Sequence, residues 1–362
     1  MVKVAVVNTT PKTIFEDISR VMDLADYDKH IDKNVVTTIK LNLSWSKFFP
    51  ACSTNPYILD GLLRKMISDG YEARRIQAVE NETVVTNIYQ GVRGNNWYPV
   101  FRKHRIRFLP LIKATYVPVK LPQKTLVLED IFGEVIAPKE IFGTNIVHLP
   151  TIKTHGHSQM TGALKDSFGL YLTKNRHLAH LKIHEVLVDL LLLQKTISRS
   201  EFVLTDGTIV GDGPGPRTMI PKVGNLLIAT HDMVAADTVQ TRIMGIDQRL
   251  VKKLQIAKEL GLGESDPEKI ELVGDYESWE DLPNLHLSPG QSPVIAWNRG
   301  FLRFPGMEWL LFRSPLMWLP TQLSALYHDG LWYPLKGKKW VNWFFNETEW
   351  GKLWKSYSED DE

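Results

Sequence analysis

Cysteine is almost missing from this chain. Cys52 stands alone among 362 residues, so no disulfide can close within the chain, and neither an iron–sulfur cluster nor a zinc site built from several thiolates can be assembled from it. Long apolar runs are missing as well. The longest, residues 186–193, is interrupted by Asp189, and nothing approaches the roughly 20 apolar residues that span a bilayer. The opening stretch MVKVAVVNTT has neither the apolar core nor the small-residue cleavage site of a secretory signal, and reads as a first strand. Nor is there an excess of one charge: Lys+Arg 43 against Asp+Glu 41 leaves a formal charge of +2, too little to attract nucleic acid or an anionic membrane over the whole surface. Basic residues do cluster at 102–107, but no aromatic-basic motif accompanies them. A nucleic-acid partner is therefore not expected, and the chain is expected in the cytoplasm.

What is present is an ordinary globular composition, 43% hydrophobic and 23% charged, on a chain long enough for about two domains or one large domain with an added segment. Strand-type runs at 2–7, 34–41, 75–79, 145–149, 201–205, 225–229 and 271–273 alternate with helical spacing at 13–24, 56–69, 84–104, 159–171, 184–197, 234–244 and 249–260. Such alternation implies an α/β fold, a doubly wound and mostly parallel sheet. Pro118, Pro122 and Pro138 break the pattern across residues 115–145 into short β-type runs such as 125–128, the mark of an insertion. After about residue 285 tryptophan and proline take over, with Trp297, Trp309, Trp318, Trp332 and Trp350 among them. The expected organisation is an α/β body over 1–285, an aromatic-rich segment over 286–357 and an acidic tail over 358–362. The aromatic segment could pack on the body, close over a site, form a homodimer interface or rest peripherally on a membrane, since tryptophan suits half-wet boundaries. The stretch 309–319 has interfacial character, although Pro315 and Pro320 prevent one long amphipathic helix.

Ligands of open parallel sheets bind beyond the carboxyl ends of the strands. Lys40 and Asn42 follow the second strand, Glu80 the third, and Lys153, His155 and His157 the run 145–149; Asp206 and Asp232 follow two more. These deliver acid, base and anion-binding groups to what should be one edge. A helix opening near Ser158 or Gln159 would present its first free N–H groups to an anion, with Lys153 and Lys165 adding positive charge. His155 can move a proton near neutral pH. With His157 and His180 it forms an alternative, weakly indicated metal set, because no fixed carboxylate or thiolate spacing accompanies these histidines. Gly211-Asp-Gly-Pro-Gly-Pro216 lacks the Gly-Lys-Ser/Thr ending and the following helix of a phosphate loop; a Gly/Pro turn is expected, with Gly213 able to line the site through its backbone. Asp232 is expected to cap the next helix, and Asp237 to lie on that helix's surface.

The order Lys40-Leu-Asn42, Ser53-Thr-Asn-Pro56, Leu149-Pro-Thr-Ile-Lys-Thr-His155, Met160-Thr-Gly-Ala-Leu-Lys165, Phe168-Gly169, Asp206-Gly207, Gly213-Pro214, Asp232-Met-Val-Ala-Ala-Asp237, Met244-Gly245 and Gly261-Leu-Gly263 resembles the motifs of the domain of unknown function 362 family over about residues 35–275. Some relatives in that family carry a ferredoxin-like cysteine-rich extension; with Cys52 alone, its electron-transfer role does not transfer to this chain. Leu41 stands where proline is common, and Asp166 follows Lys165 where the family usually has asparagine. The family name assigns no activity. The expected function is therefore an enzyme acting on a small carboxylate- or phosphate-bearing metabolite. In it His155, Lys165 and Asp206 would be catalytic, Asp206 orienting His155 or a substrate hydroxyl. Lys40, Asn42, Glu80, Lys153, Thr161 and Gly213 would bind substrate. A non-catalytic metabolite- or cofactor-binding accessory protein and a His/Asp metal-dependent enzyme stay open as alternatives, and no particular cofactor is implied.

Overall fold

A computed structural model describes residues 1–358 apart from 84, 174–175, 302, 308, 311–313 and 315–317. The strands are β1 (Val2–Asn8), β2 (Thr37–Leu41), β3 (Ile76–Glu80), β4 (Arg107–Pro110), β5 (Tyr116–Pro118), β6 (Ile136–Pro138), β7 (Asn145–Leu149), β8 (Thr151–His155), β9 (Gln159–Met160), β10 (Ser200–Asp212), β11 (Ile220–Thr230) and β12 (Ile270–Gly274). The main sheet runs β12-β1-β11-β10-β7-β2-β3-β4. Neighbours are parallel except at β11, which is antiparallel to both β1 and β10. The fold is thus the expected α/β one with a mostly parallel sheet.

The helices follow from apolar stripes. Ile14, Ile18, Val21 and Met22 bury one face of helix Ile14–Leu24. Pro56 opens helix Pro56–Ser68 at a position where its missing N–H costs nothing, and Gly70 leaves it at φ +90°. Between β7 and β8 lies Pro150, which has no N–H to give the ladder; its carbonyl instead accepts the Asp206 N–H at 2.8 Å. Both strands run parallel to the 13-residue β10, which spans the break. From β2 the chain proceeds outward to β3 and β4 on one side, while β7 lies on the other. That is a topological switch point, where the loops leaving neighbouring carboxyl ends part and leave a crevice.

Three sequence expectations change. The strand expected at 225–229 is part of a long hairpin with β10, turned by the Gly211–Pro216 motif, so β11 runs backwards and its carboxyl end, with Asp232, lies at the opposite edge from those of β2 and β7. Asp232 does cap its helix, accepting from the N–H groups of Val234 and Ala235. The helix expected from residue 159 starts at Ala163: Gln159 and Met160 pair back onto β8 instead, and Gly162 takes φ +109°. In the insertion, β5 and β6 form the antiparallel pair, whereas Leu128–Phe132, at the end of the expected β-run, is helical. The carboxylate of Asp189, the odd charge in its apolar run, accepts the N–H groups of Leu126, Val127 and Leu128 there.

Asp237 is not on a surface; it is wholly buried. Its carboxylate accepts the Ala163 N–H at 2.6 Å and the Leu164 N–H at 3.4 Å, and pairs with Lys253 Nζ at 2.7 Å. The helix N-terminus expected to hold an anionic ligand is therefore filled by the protein's own anion. A Cβ at Gly162 would meet Asp237 Oδ1 at 2.2 Å, which explains why glycine stands there.

The aromatic segment contributes helices Pro293–Phe301, Trp318–Ala325, Lys338–Glu347 and Glu349–Lys355. Phe344, Trp350 and Trp354 join the core that also holds Ile18, Trp45, Tyr57 and Phe202. Trp350 stacks on Tyr57 at 5.2 Å and donates to Asn225 Oδ1 at 2.7 Å. Residues 359–362 of the acidic tail, and 311–313 and 315–317 of the interfacial stretch, lie outside the described residues. Among the described residues no helix is long and apolar enough to cross a membrane.

Removing one member of a buried ion pair strands the other, at a typical cost of about 3–5 kcal/mol. Asp237→Ala is expected to lower unfolding stability by that order in a denaturant titration. Asp237→Ala with Lys253→Met should recover a large part, because no unpaired charge is left inside.

Candidate functional site

Beyond the carboxyl ends of β2 and β3 opens a cavity of about 310 Å³. Its wall draws Lys40 and Asn42 from β2 and its exit, Glu80 from β3, His155 from β8, and Lys165, Asp166 and Phe168 from helix Ala163–Tyr171. Arg176 and His180 join from the turn that follows, Arg217 from the hairpin, and Ser324 and His328 from the aromatic segment.

Lys40 is 1% exposed, yet its Nζ sits 2.6 Å from Glu80 Oε2 and 3.4 Å from Asp166 Oδ1. Burial disfavours its charge, but the carboxylates of Asp166 and Glu80 more than offset this and hold its pKa above the usual lysine value. Burial likewise pushes Glu80 up, opposed by Lys40. Glu80 also accepts the backbone N–H groups of Leu43 and Asn81. Gly169 makes room for the pair, since a Cβ there would lie 3.1 Å from Lys40 Nζ. Asp166 continues inward to His148 Nδ1 at 3.0 Å, and His148 Nε2 meets Gln194 Oε1 at 2.9 Å. The departure from the family pattern at residue 166 thus serves Lys40 and His148.

Lys165 differs. Among the described residues no carboxylate lies within ion-pair distance of it; its ammonium sits 4.8 Å from the centre of the Phe168 ring. Burial, then the nearby charges of Lys153, Lys253 and Arg176, lower its pKa to about 7. Arg176 is lowered to about 10, chiefly by burial, and donates to the Glu82 carbonyl. Arg217 is lowered by burial too, and donates to Ser324 Oγ at 3.3 Å.

His155 Nδ1 accepts the N–H groups of His157 at 3.1 Å and Ser158 at 3.3 Å. That fixes the tautomer of the neutral ring, whose proton sits on Nε2. Burial, aided by Lys165, holds its pKa well below the usual histidine value. The neutral ring is therefore a donor at neutral pH rather than a base. His155, His157 and His180 have ring centres 4.9–6.3 Å apart, but among the described residues no group of three His, Cys, Asp or Glu side chains is arranged to hold a metal ion.

Of the residues singled out in the sequence, Lys40, Asn42, Glu80, His155, His157, Lys165 and His180 meet in this wall. Lys153 stands behind it: its Nζ reaches Asn42 Oδ1 at 2.6 Å and Thr151, and burial lowers its pKa to about 8. Thr161 donates to the Thr151 and Lys153 carbonyls. Gly213 turns the hairpin at φ +89°, and its carbonyl accepts from Thr154. Asp206 does not orient His155. It lies in the middle of β10, where its carboxylate accepts from Asn55 at 2.7 Å and Thr208 at 2.7 Å. The expectation placed it at a strand end because β10 was read as ending at residue 205. Arg176, Arg217, Asp166 and His148 were not singled out as site residues. Of these, two carried a signal: His148, one residue before the end of a predicted strand, and Asp166, where the family usually has asparagine. Cys52 is buried, donates to the Pro216 carbonyl, and has its thiol pushed up to about 11 by burial, so it is a poor nucleophile.

The curated relatives include a thylakoid-associated protein of Synechocystis sp., 28% identical over 183 residues. The match takes in 48% of this chain and 53% of that protein, so the chain spans about half the length of this relative. Residues 37–242, which contain β2 through most of the helix that follows β11, match the family described as Domain of unknown function (DUF362). That span includes Lys40, Glu80, His155, Lys165, Asp166, Arg176 and Arg217, and the chain belongs to the domain of unknown function 362 family.

Proposed function

We propose that this cavity binds a small metabolite carrying a carboxylate or phosphate group and acts on it by acid/base chemistry. The observation that carries the reading is an imbalance of charge. Both wall carboxylates, Glu80 and Asp166, are engaged by Lys40, while among the described residues Lys165, Arg176 and Arg217 have no carboxylate within ion-pair distance. Buried cations left without counter-charges are costly, and an anionic ligand relieves that cost. In this reading Arg176 and Arg217 hold the anionic group. Lys165, with its pKa near 7, is present partly as the free amine and takes a proton from the substrate. The Nε2–H of His155 donates to the oxygen on which negative charge develops. Lys153 and Asn42 support the wall from behind. A lone buried thiol suits the reducing cytoplasm, where we place the protein.

Sulfate keeps its charge across the neutral range and is a suitable probe. It is expected to raise the melting temperature of the chain by several degrees at millimolar concentration, with the shift lost in Arg176→Met/Arg217→Met. An unchanged melting curve for the parent would count against the anion site.

The pH dependence follows from Lys165. Its amine is charged below about pH 7 and neutral above. Sulfate affinity should therefore fall as pH rises through 7, by up to about tenfold per unit, and binding at pH 8 should take up a proton. Lys165→Met should bind more weakly and lose this dependence. Proton transfer itself is read by incubating small 2-hydroxy and 2-keto carboxylates that stabilise the fold in deuterium oxide. Solvent deuterium should enter at C2 of a hydroxy acid or at C3 of a keto acid, and Lys165→Met should abolish its entry. Tight binding with no exchange in any of them would leave a non-catalytic binding protein.

A further inference from the structure

We propose that the segment from Trp318 to Lys339 is a docking face for the surface of an anionic lipid bilayer. The segment has two sides. Helix Trp318–Ala325 and the stretch after it turn Thr321, Ser324 and His328 toward the cavity, and Arg217 fastens Ser324 from the body. Other side chains of the same stretch are open to solvent: Trp318 is 59% exposed and Leu326 60%. Leu319, Leu323, Leu331 and Leu335 extend this exposed apolar set, Leu335 at 77%. Single exposed apolar side chains are ordinary, but a concentration of them in one segment marks a contact surface.

Charge selects the occupant. Between residues 318 and 339 the chain carries Lys336, Lys338 and Lys339 against Asp329 alone. Asp329 is turned to the body, accepting from Trp45 Nε1 at 2.9 Å and pairing with Lys47. Lys336, Lys338 and Lys339 are exposed. Tryptophan and leucines rimmed by lysine match the boundary of an anionic bilayer, where rings settle at headgroup depth and basic residues are drawn to the charged surface. A second copy of this chain fits less well, since a two-fold contact sets like patches, and so like charges, against each other. Because the inner side of the same helix lines the cavity, docking would hold the cavity wall at the lipid surface.

The test is flotation of the full chain with vesicles of phosphatidylcholine alone and of phosphatidylcholine mixed with phosphatidylglycerol. The chain should float with the mixed vesicles, and several-fold less with neutral ones or in high salt. Lys336→Glu/Lys338→Glu/Lys339→Glu, and separately Trp318→Ala/Leu326→Ala, should remain at the bottom while keeping the parent melting temperature. If either variant fails to fold, quenching of the parent's tryptophan fluorescence by brominated anionic lipid provides the same reading without a substitution. Protein that stays at the bottom with both vesicle types, or shows equal quenching in neutral and anionic lipid, overturns the proposal. So does a parent that is dimeric in solution, is made monomeric by Trp318→Ala/Leu326→Ala, and binds no lipid.

Discussion

An ammonium group shut away from water, that of Lys40, sits between the carboxylates of Glu80 and Asp166, and the arrangement of the cavity depends on it. The three come from different elements: the end of β2, the end of β3, and the first turn of helix Ala163–Tyr171. Parallel pairing sets Lys40 opposite Val79, so that Glu80 is the next residue along. The helix can bring Asp166 within reach only because it starts at Ala163, and it starts there because Gly162 turns and Asp237 supplies the cap. Buried ion groups of this kind contribute little net stability, but they specify which elements must meet.

The same triad leaves the rest of the wall cationic. With Glu80 and Asp166 committed, Lys165, Arg176 and Arg217 face the cavity without carboxylate partners among the described residues, and Lys165 responds by losing its proton near pH 7. The chain shows the contrary solution a short distance away, where Lys253 is buried against Asp237 and the pair closes a helix N-terminus. One buried lysine is neutralised by the fold; the other has no carboxylate within ion-pair distance among the described residues. An outer layer, the aromatic segment, completes the wall with Ser324 and His328.

Much of the fold was legible because apolar periodicity and strand-end chemistry are local. The run 145–149 and the helices at 13–24, 56–69 and 184–197 stand within a residue or two of where their patterns put them. Lys40, Glu80 and His155 were legible because strand ends in a parallel sheet converge, and Lys165 because it follows a loop that opens a helix. What was hidden is non-local. Nothing near Asp237 in sequence says that it caps a helix 74 residues away. Asp206 looked like a strand-end group because Asp206 and Gly207, both poor strand signals, interrupt a strand that continues to Asp212. The direction of β11 depends on pairing that follows the Gly/Pro turn. Arg217 becomes a wall residue only when the hairpin and the C-terminal segment are brought together.

The charge state of Lys165 is the point on which the functional reading turns. Its ε-carbon can be followed by nuclear magnetic resonance across pH in the isotope-labelled chain, assigned by Lys165→Arg, with and without sulfate. A titration near pH 7 that moves upward by a unit or more when sulfate is added is the predicted result. A titration near the ordinary lysine value of about 10.4, unmoved by sulfate, would contradict the account.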